Sequence, residues 1–432
     1  MNNASEQFDS SSHVKARSWN RFDTTWMLGI YASAIGAGIL YLPIKLGIIG
    51  FWPTLIMLIL AFPMTYLPHR AATNFILAAN SKSGKATNIV DAARVHFGSG
   101  GARLVTLIYF IAMFPAMLIF TITLTNTAIN FIEYQLHMHP PPRFIISIFI
   151  ILALMASAKY GHAFVVKVMA LMVYPFITIL MLLAISLIPK WSTAFFETMH
   201  VPFSTTHMAI SLWTTLPIMV IAFGQISIIS AFSVAQQKQY PDSFEWRSRR
   251  TLRNANLLIV FSSLFFVLSC IFCLMPAELM SANVKNISAV SFISDKYNEP
   301  LIAAMATFVV FVGISKGFLA HYIAVDEGFV GLGRNIFAIS ENKISSKAIS
   351  RAGNLIIIAV CWIGATLNPN ALSLIGSILG PLVTILLFIV PMYGIYRVPA
   401  LARFRRQPGN IFVAVIGALT VASALAPLLG LH

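Results

Sequence analysis

The chain has 432 residues, of which 58% are hydrophobic and only 10% are charged, and its mean hydropathy is +0.81. A soluble domain carries about 25% charged residues, so this composition excludes a fully water-exposed surface. The net charge of +15 does not indicate nucleic-acid binding, because the basic residues lie in short loops between long apolar runs. We therefore expect a protein embedded in lipid.

Eleven apolar runs predict eleven helices that span a hydrocarbon layer of ~30 Å. Their hydrophobicity is continuous instead of alternating, which favours helices over a barrel. The predicted spans cover about 24–45, 50–77, 104–132, 144–158, 164–188, 207–235, 255–275, 301–325, 353–367, 372–396 and 411–429. A polar tail, residues 1–23, precedes them, and a short amphipathic pattern covers 88–97.

The basic residues favour one orientation in the membrane. With a cytosolic N-terminus, most of the 29 lysines and arginines fall in inner segments. The outer segments then hold only Lys45, Arg143, Lys190, Lys285 and Lys296. This is the bias of the positive-inside rule. It predicts a multi-pass protein of a bacterial inner membrane, with its N-terminus in the cytoplasm and its C-terminus in the periplasm.

Two spans carry residues that interrupt helices at membrane depth. Span one has Gly36 and Gly38 near its middle, and span six has Gly224 followed by Gln225. Glycine disfavours a helix interior by ~1 kcal/mol, so each site is a candidate break. The alternative is a surface of small residues for helix packing. A break would expose amides for an anion and carbonyls for a cation, which suits an amino-acid zwitterion.

The two candidate breaks stand at the starts of two successive sets of five spans, a pattern typical of inverted-repeat transporters. We expect residues 24–188 to form the first repeat and 189–396 the second. Residues 397–432 would form a basic cytosolic loop and an accessory eleventh helix. The spans hold almost no carboxylates, so we expect no enzyme, catalytic residue, metal or cofactor. A receptor or a channel is the other class to consider.

Five segments carry a resemblance to a known family. They are DTTWMLGIYASAIGAGILYLPIKLG (23–47), AFPMTYLPHRAAT (61–73), IYFIAMFPAMLIFTITLTNT (108–127), SKGFLAHYIAVDEG (315–328) and GSILGPLVTILLFIVPMYGIYRVPAL (376–401). The chain resembles the hydroxy and aromatic amino acid permease family, especially its serine/threonine branch. The resemblance implies the amino acid/polyamine/cation superfamily, an all-α leucine-transporter-like 5+5 fold with discontinuous helices one and six, eleven helices, and proton-coupled uptake.

The resemblance also implies where the substrate binds. The candidates at the two breaks are Ser33, Ala34, Ile35, Gly36, Ala37, Gly38, Ala222, Phe223, Gly224 and Gln225. Backbone groups of span one would hold the carboxylate and the amine, Phe223 would cover the substrate, and Gln225 would bond its side chain. The family has an Asn-His pair where this chain has Gly224-Gln225. The family's substrate preference therefore cannot be assigned to this chain from span six.

Lys316, in the middle of span eight, is the candidate for ion coupling. A lysine inside an apolar span costs at least ~2.5 kcal/mol on insertion scales, which indicates a function. It would replace the sodium ion of sodium-coupled members by loading and releasing a proton, whereas a purely structural lysine is the alternative. Ser315 would be a sodium ligand if the coupling ion is sodium. Asn126, His321 and Tyr322 are secondary candidates that more often join helices than bind substrate.

The sequence thus predicts an importer of a small neutral, serine- or threonine-like amino acid, by proton symport and alternating access. Its partners would be the amino acid, H+ and the lipid bilayer, without nucleic acid, and the oligomeric state is open. A sodium-coupled or aromatic amino-acid transporter of the same fold is one alternative. An amino-acid-sensing membrane receptor is the other.

Overall fold

The computed structural model describes residues 18–83, 89–158, 162–200, 204–297, 299–337, 339–340 and 342–424. These residues form helices and connecting loops, without a strand among them. Most of the predicted N-terminal tail and the last residues of the predicted eleventh span lie outside the described residues.

The first half of the chain contains six long helices. They are α1 (Arg21–Ala34), α2 (Ala37–Ile49), α3 (Phe51–Ser83), α4 (Ile89–Asn130), α5 (Arg143–Ala158) and α6 (His162–Ser186). Gly98, with φ at 76°, interrupts α4 and separates the predicted amphipathic segment from the predicted third span. Short helical turns follow at Ile188–Lys190, Ala194–Glu197 and Thr198–His200.

The second half repeats the pattern with an insertion on one side. Its helices are α7 (Thr205–Ala222), α8 (Ile226–Gln239), α9 (Phe244–Cys273), α10 (Pro276–Val284), α11 (Ala289–Tyr297), α12 (Pro300–Gly331), α13 (Ser346–Leu367), α14 (Ala371–Arg397) and α15 (Asn410–Ala422). Two π-helical turns, Ile375–Leu379 and Ile385–Ile389, lie within α14. The short helices α10 and α11 connect α9 with α12.

Within the described part of the chain, eight helices are long and apolar enough to cross a membrane, and the bent pair α1–α2 would make a ninth. Two shorter apolar helices, Arg143–Ala156 and Asn410–Ala422, coincide with the predicted fourth and eleventh spans. The multi-pass architecture is thereby confirmed. The number of eleven spans stays a prediction.

Both predicted breaks are present. The axes of α1 and α2 differ by 57° across Ile35 and Gly36, whose backbone is extended instead of helical. Helix α7 ends at Ala222 and α8 begins at Ile226, so Phe223, Gly224 and Gln225 lie outside both helices. The two interrupted pairs cross at Gly38 and Ala222, where the backbones approach too closely for a side chain on Gly38.

The helices form two groups, one of which contains both interrupted pairs. In one group α2 packs on α7, α1 packs on α9, and α3 packs on α8 and α9. In the other, α12 packs on α4, α6 and α13, and α4 packs on α5 and α13. Helix α14 lies against α4 and α7, and α15 covers α14. The interrupted segments thus face a wall of intact helices.

A buried ion pair ties the predicted cytosolic end of α1 to α9. At the start of α1, the Asn20 side chain accepts from the Asp23 backbone N–H, and the Asp23 side chain accepts from the Asn20 backbone N–H. Asp23 Oδ2 also lies 2.9 Å from Arg247 Nη1. Both side chains are almost fully buried. The Arg247 guanidinium also stacks 4.2 Å from the ring centre of Tyr240, just after α8. This cluster joins the ends of α1, α8 and α9.

One basic residue lies elsewhere than expected. Lys45, assigned above to an outer segment, lies within α2 and donates a hydrogen bond of 3.2 Å to Thr214 Oγ1 of α7. The apolar run of span one simply continues past it to Ile49. Lys45 therefore links the two interrupted helix pairs to each other instead of lying in a solvated loop.

Candidate functional site

A cavity lies between the two breaks and the intact helices beside them. Its volume is about 50 Å³, which is room for roughly four water molecules. It is lined by Ser33, Ala34, Gly36, Ala37, Gly38, Met113, Ala116, Ile119, Phe120, Ile221, Gly224, Ile226, Ser227, Gly317, His321, Ile375, Leu379 and Val383. The cavity therefore draws on α1, α2, α4, α7, α8, α12 and α14, and no lining residue carries a full charge.

The break in span one presents two opposite partial charges to the cavity. The last carbonyls of α1, around Ser33 and Ala34, have no successor turn to bond. The first amides of α2 begin after Gly36, and no side chain caps this helix. A helix C-terminus carries about −0.5 and an N-terminus about +0.5 elementary charge. Together they match the ammonium and the carboxylate of a zwitterion.

The break in span six is satisfied in part by hydrogen bonds within the protein. The Gln225 backbone N–H donates to His69 Nε2 at 2.9 Å, and the Gln225 side-chain amide donates to the Phe223 carbonyl at 3.0 Å. His69 Nδ1 in turn donates to the Thr65 carbonyl at 2.6 Å, because a carbonyl can only accept. His69 is thus held neutral. Gln225 Oε1 remains, buried and without a hydrogen-bond partner among the described residues.

The predicted substrate residues divide into two sets. Ser33, Ala34, Gly36, Ala37, Gly38 and Gly224 line the cavity. Ile35, Ala222, Phe223 and Gln225 are buried at 0–1% exposure but are not among the lining residues. Phe223 and Gln225 form the buried support of the break, whereas Gly224 between them reaches the cavity. The residue types correctly predicted a break at this position. The spacing in the sequence does not show which residues of the break face the cavity.

The wall opposite the breaks contains residues that sequence reasoning missed. The Phe120 ring of α4 lies in edge-to-face contact with His321, 5.0 Å between ring centres. The same ring approaches Gly36 and Gly317, where an added Cβ would be 3.7 Å and 3.0 Å from it. Phe120 therefore bridges span one and α12 beside the cavity. Its signal was weak, because phenylalanine occurs 33 times in the chain.

His321, a secondary candidate, lines the cavity. Its Nδ1 donates to the Gly317 carbonyl one turn earlier, at 2.9 Å. Lys316, Ser315 and Tyr322 are not among the lining residues. Helix α12 therefore turns Gly317 and His321 towards the cavity and Lys316 towards another neighbour.

That neighbour is α6. Lys316 is 1% exposed, and its Nζ lies 4.4 Å above the centre of the Phe176 ring. Nζ has no hydrogen-bond acceptor among the described residues. The sequence-based expectation put this amine against span one, in the position of a sodium ion. In the structure Nζ instead lies over the Phe176 ring of α6.

Asn126, the last secondary candidate, belongs to a polar network at the predicted outer end of α4. Its Nδ2 donates to the Asn286 carbonyl at 2.6 Å, and its Oδ1 accepts from Arg143 Nη2 at 2.6 Å. Nearby, Asn130 Nδ2 donates to Asp295 on α11 at 2.8 Å. Burial raises the pKa of Asp295 to about 6, although the bond from Asn130 opposes this shift. The network ties the loop between α10 and α11, and α11 itself, to α4.

Comparisons with known proteins agree with this geometry. The chain is 39% identical over 408 residues to the serine transporter SdaC of Escherichia coli (strain K12), covering 94% of each chain. It is 33% identical to the threonine/serine transporter TdcC of Yersinia enterocolitica serotype O:8, covering 94% of this chain and 96% of that one. No protein-family model matches.

Two solved structures share the fold at low sequence identity. The crystal structure of MhsT in complex with L-phenylalanine is 12% identical, has a TM-score of 0.60, and is covered over 99% of its length by 96% of this chain. A substrate-bound, outward-open Na+-coupled sialic acid symporter is 14% identical, with a TM-score of 0.55 over 94% of this chain and 89% of that one. The predicted leucine-transporter-like, all-α fold is confirmed.

Proposed function

Because the chain belongs to the serine/threonine branch of the hydroxy and aromatic amino acid permease family, we propose that it is a secondary transporter that imports a small neutral amino acid, serine or threonine, by proton symport. The observation that carries the proposal is the cavity between the two interrupted helices. The proposed setting is a bacterial inner membrane, with the N-terminus in the cytoplasm and the C-terminus in the periplasm.

The substrate class follows from the charges around the cavity. The carboxylate would accept from the uncapped amides of α2, near Ala37 and Gly38. The ammonium would donate to the terminal carbonyls of α1, near Ser33 and Ala34. Because no lining side chain is charged, a substrate with a net charge would be left uncompensated. A zwitterion with an uncharged side chain fits best.

The walls of the cavity favour a small substrate. At about 50 Å³ the cavity has to widen for any amino acid, and it has to widen least for one with a small side chain. Met113, Ile119 and Phe120 close one side and Ile375, Leu379 and Val383 another. The aromatic-substrate alternative would require these side chains to move.

Lys316 would couple transport to protons because its Nζ has no hydrogen-bond acceptor among the described residues. A buried ammonium without a hydrogen-bond acceptor is costly by several kcal/mol, so the arrangement over Phe176 suits a neutral amine. A proton on Nζ would favour a conformation that brings carbonyl or carboxylate oxygens to it. A proton would thus stabilise one state of the cycle over the other, which is what coupling requires. Sodium coupling through Ser315 is the competing proposal.

Uptake by the purified protein in liposomes separates these proposals. We expect L-serine to accumulate under an imposed pH gradient in sodium-free buffer and not under a sodium gradient at uniform pH. Lys316→Met should abolish accumulation but keep serine binding in a thermal-shift assay. The exposed Lys343→Met is the matched control and should transport normally. Serine accumulation that depends on the sodium gradient alone would contradict proton symport and support sodium symport. Binding of an amino acid without any transport would favour the receptor.

A further inference from the structure

Two histidines near the breaks, the buried His69 and the half-buried His321, use Nδ1 in the same way. His69 on α3 donates from Nδ1 to the Thr65 carbonyl, and His321 on α12 donates from Nδ1 to the Gly317 carbonyl. Both acceptors lie four residues earlier on the same helix. In a neutral imidazole whose Nδ1 carries the proton, Nε2 is an acceptor with one lone pair. The local bond therefore decides the tautomer of each ring.

The two rings differ in what their Nε2 atoms contact. His69 Nε2 accepts the backbone N–H of Gln225 at 2.9 Å, so its capacity is filled. His321 Nε2 has no hydrogen bond recorded to any residue in the described ranges, and His321 lines the cavity. Nε2 is therefore an acceptor available to a ligand in the cavity. A ligand that brings a donor to Nε2 would use that capacity.

Two other lining side chains, Ser33 and Ser227, carry a hydroxyl. Ser33 Oγ donates to the Ile30 carbonyl at 2.9 Å and lies at the span-one break, where the zwitterion is proposed to bind. Ser227 contributes a hydroxyl from the α8 side of the cavity, next to the break. The wall around His321 is otherwise apolar, with the Phe120 ring edge-to-face against the imidazole. A hydroxyl carried by the substrate side chain would meet His321 there.

We propose that His321 Nε2 accepts a hydrogen bond from the side-chain hydroxyl of the bound amino acid and thereby distinguishes serine and threonine from their analogues without a hydroxyl. The inference rests on the proposed function. With the zwitterion at the span-one break, its side chain extends across the cavity towards α4 and α12, where His321 and Phe120 meet. The span-six residues Phe223 and Gln225 do not line the cavity, and the Gln225 side-chain amide donates to the Phe223 carbonyl.

The test compares binding of L-serine with binding of L-alanine, which has the same backbone and lacks only the hydroxyl. Calorimetry on the full-length detergent-solubilised protein should give a serine affinity about tenfold or more above that for alanine. His321→Leu should remove this difference by weakening serine binding while alanine binding stays the same. His321→Gln, whose amide oxygen can accept, should restore part of it. Alanine binding reports that each variant is folded.

The other outcomes are equally informative. The exposed His139→Leu should keep the wild-type ratio, since it is remote from the cavity in the predicted outer loop. Equal weakening of both ligands by His321→Leu would show a structural role and overturn the inference, while the proposed function would survive. If Ser227→Ala instead removes the difference between serine and alanine affinity, the inference is also overturned. If the wild type binds none of the twenty amino acids, the proposed function fails together with the inference.

Discussion

Gly38 and Ala222 lie in direct backbone contact at the crossing of the two interrupted helices. A Cβ added to Gly38 would be 2.7 Å from both the backbone nitrogen and the Cα of Ala222, and 2.9 Å from the Ile221 carbonyl carbon. Real Cβ atoms do not approach backbone so closely. The contact fixes how far apart the two breaks lie, and hence the width of the cavity between them.

Gly38→Ala should separate the breaks and eliminate amino-acid binding. Because the colliding atoms are backbone, they cannot rotate away, and we expect a loss of about 1–3 kcal/mol in stability as well. Gly29→Ala is the control in the same span, since its Cβ would be 3.6 Å from Ile228 Cδ1, an ordinary contact. Thermal melting and serine binding should change for Gly38→Ala only. Normal binding by that variant would contradict the role of the crossing.

His69→Leu should loosen the break in span six. It removes the acceptor for the Gln225 backbone N–H, and an unpaired buried amide costs about 1–3 kcal/mol. We expect lower transport with serine and alanine affected alike, which separates this residue from His321. His69→Gln, which can still accept at that position, should recover much of the rate. A preserved rate in His69→Leu would mean that the bond does not position the break.

The Asp23–Arg247 pair should matter far more than an exposed pair on the same helix. Removing one partner of a buried ion pair costs about 3–5 kcal/mol, because the other charge remains buried. Asp23→Asn or Arg247→Met should therefore lower the melting temperature strongly and weaken transport. Arg249→Gln, which removes the half-exposed partner of Glu245 at 3.9 Å and leaves Glu245 paired with Arg403, should change stability by about 0–1 kcal/mol. Equal effects at the two sites would contradict this account.

Asp295 should make stability depend on pH. Burial raises its pKa from 3.8 to about 6, so the folded protein binds this proton more tightly than the unfolded chain does. Its contribution to stability is therefore largest in acid and declines as the pH rises from about 4 to about 6. Asp295→Asn should melt with the wild type at pH 4 and above it at pH 7. The exposed Asp242→Asn is the matched control for the loss of a carboxylate.

The breaks could be predicted from the sequence because glycine at membrane depth has a direct physical consequence. Gly36 and Gly224 weaken the helix whatever surrounds them, and both stand in non-helical backbone in the structure. The strings around Gly36–Gly38 and Lys316 also carried the family, which the relatives confirm. These inferences needed only local composition and order along the chain.

The direction in which each side chain points could not be predicted in the same way. Lys316 and Gly317 are neighbours in sequence, yet only Gly317 lines the cavity, because successive residues of a helix point about 100° apart. The partnership of His69 with Gln225 joins residues 156 positions apart in the chain, and no local pattern signals it. Such relationships depend on how α3, α8 and α12 pack, which a single sequence does not state.

The most direct test of the central claim is a structure of the full-length protein determined with L-serine bound. We expect the serine carboxylate at the N-terminus of α2, near Ala37 and Gly38, and the ammonium at the C-terminus of α1, near Ser33 and Ala34. Serine bound elsewhere, with the gap between the two interrupted helices empty, would contradict the account.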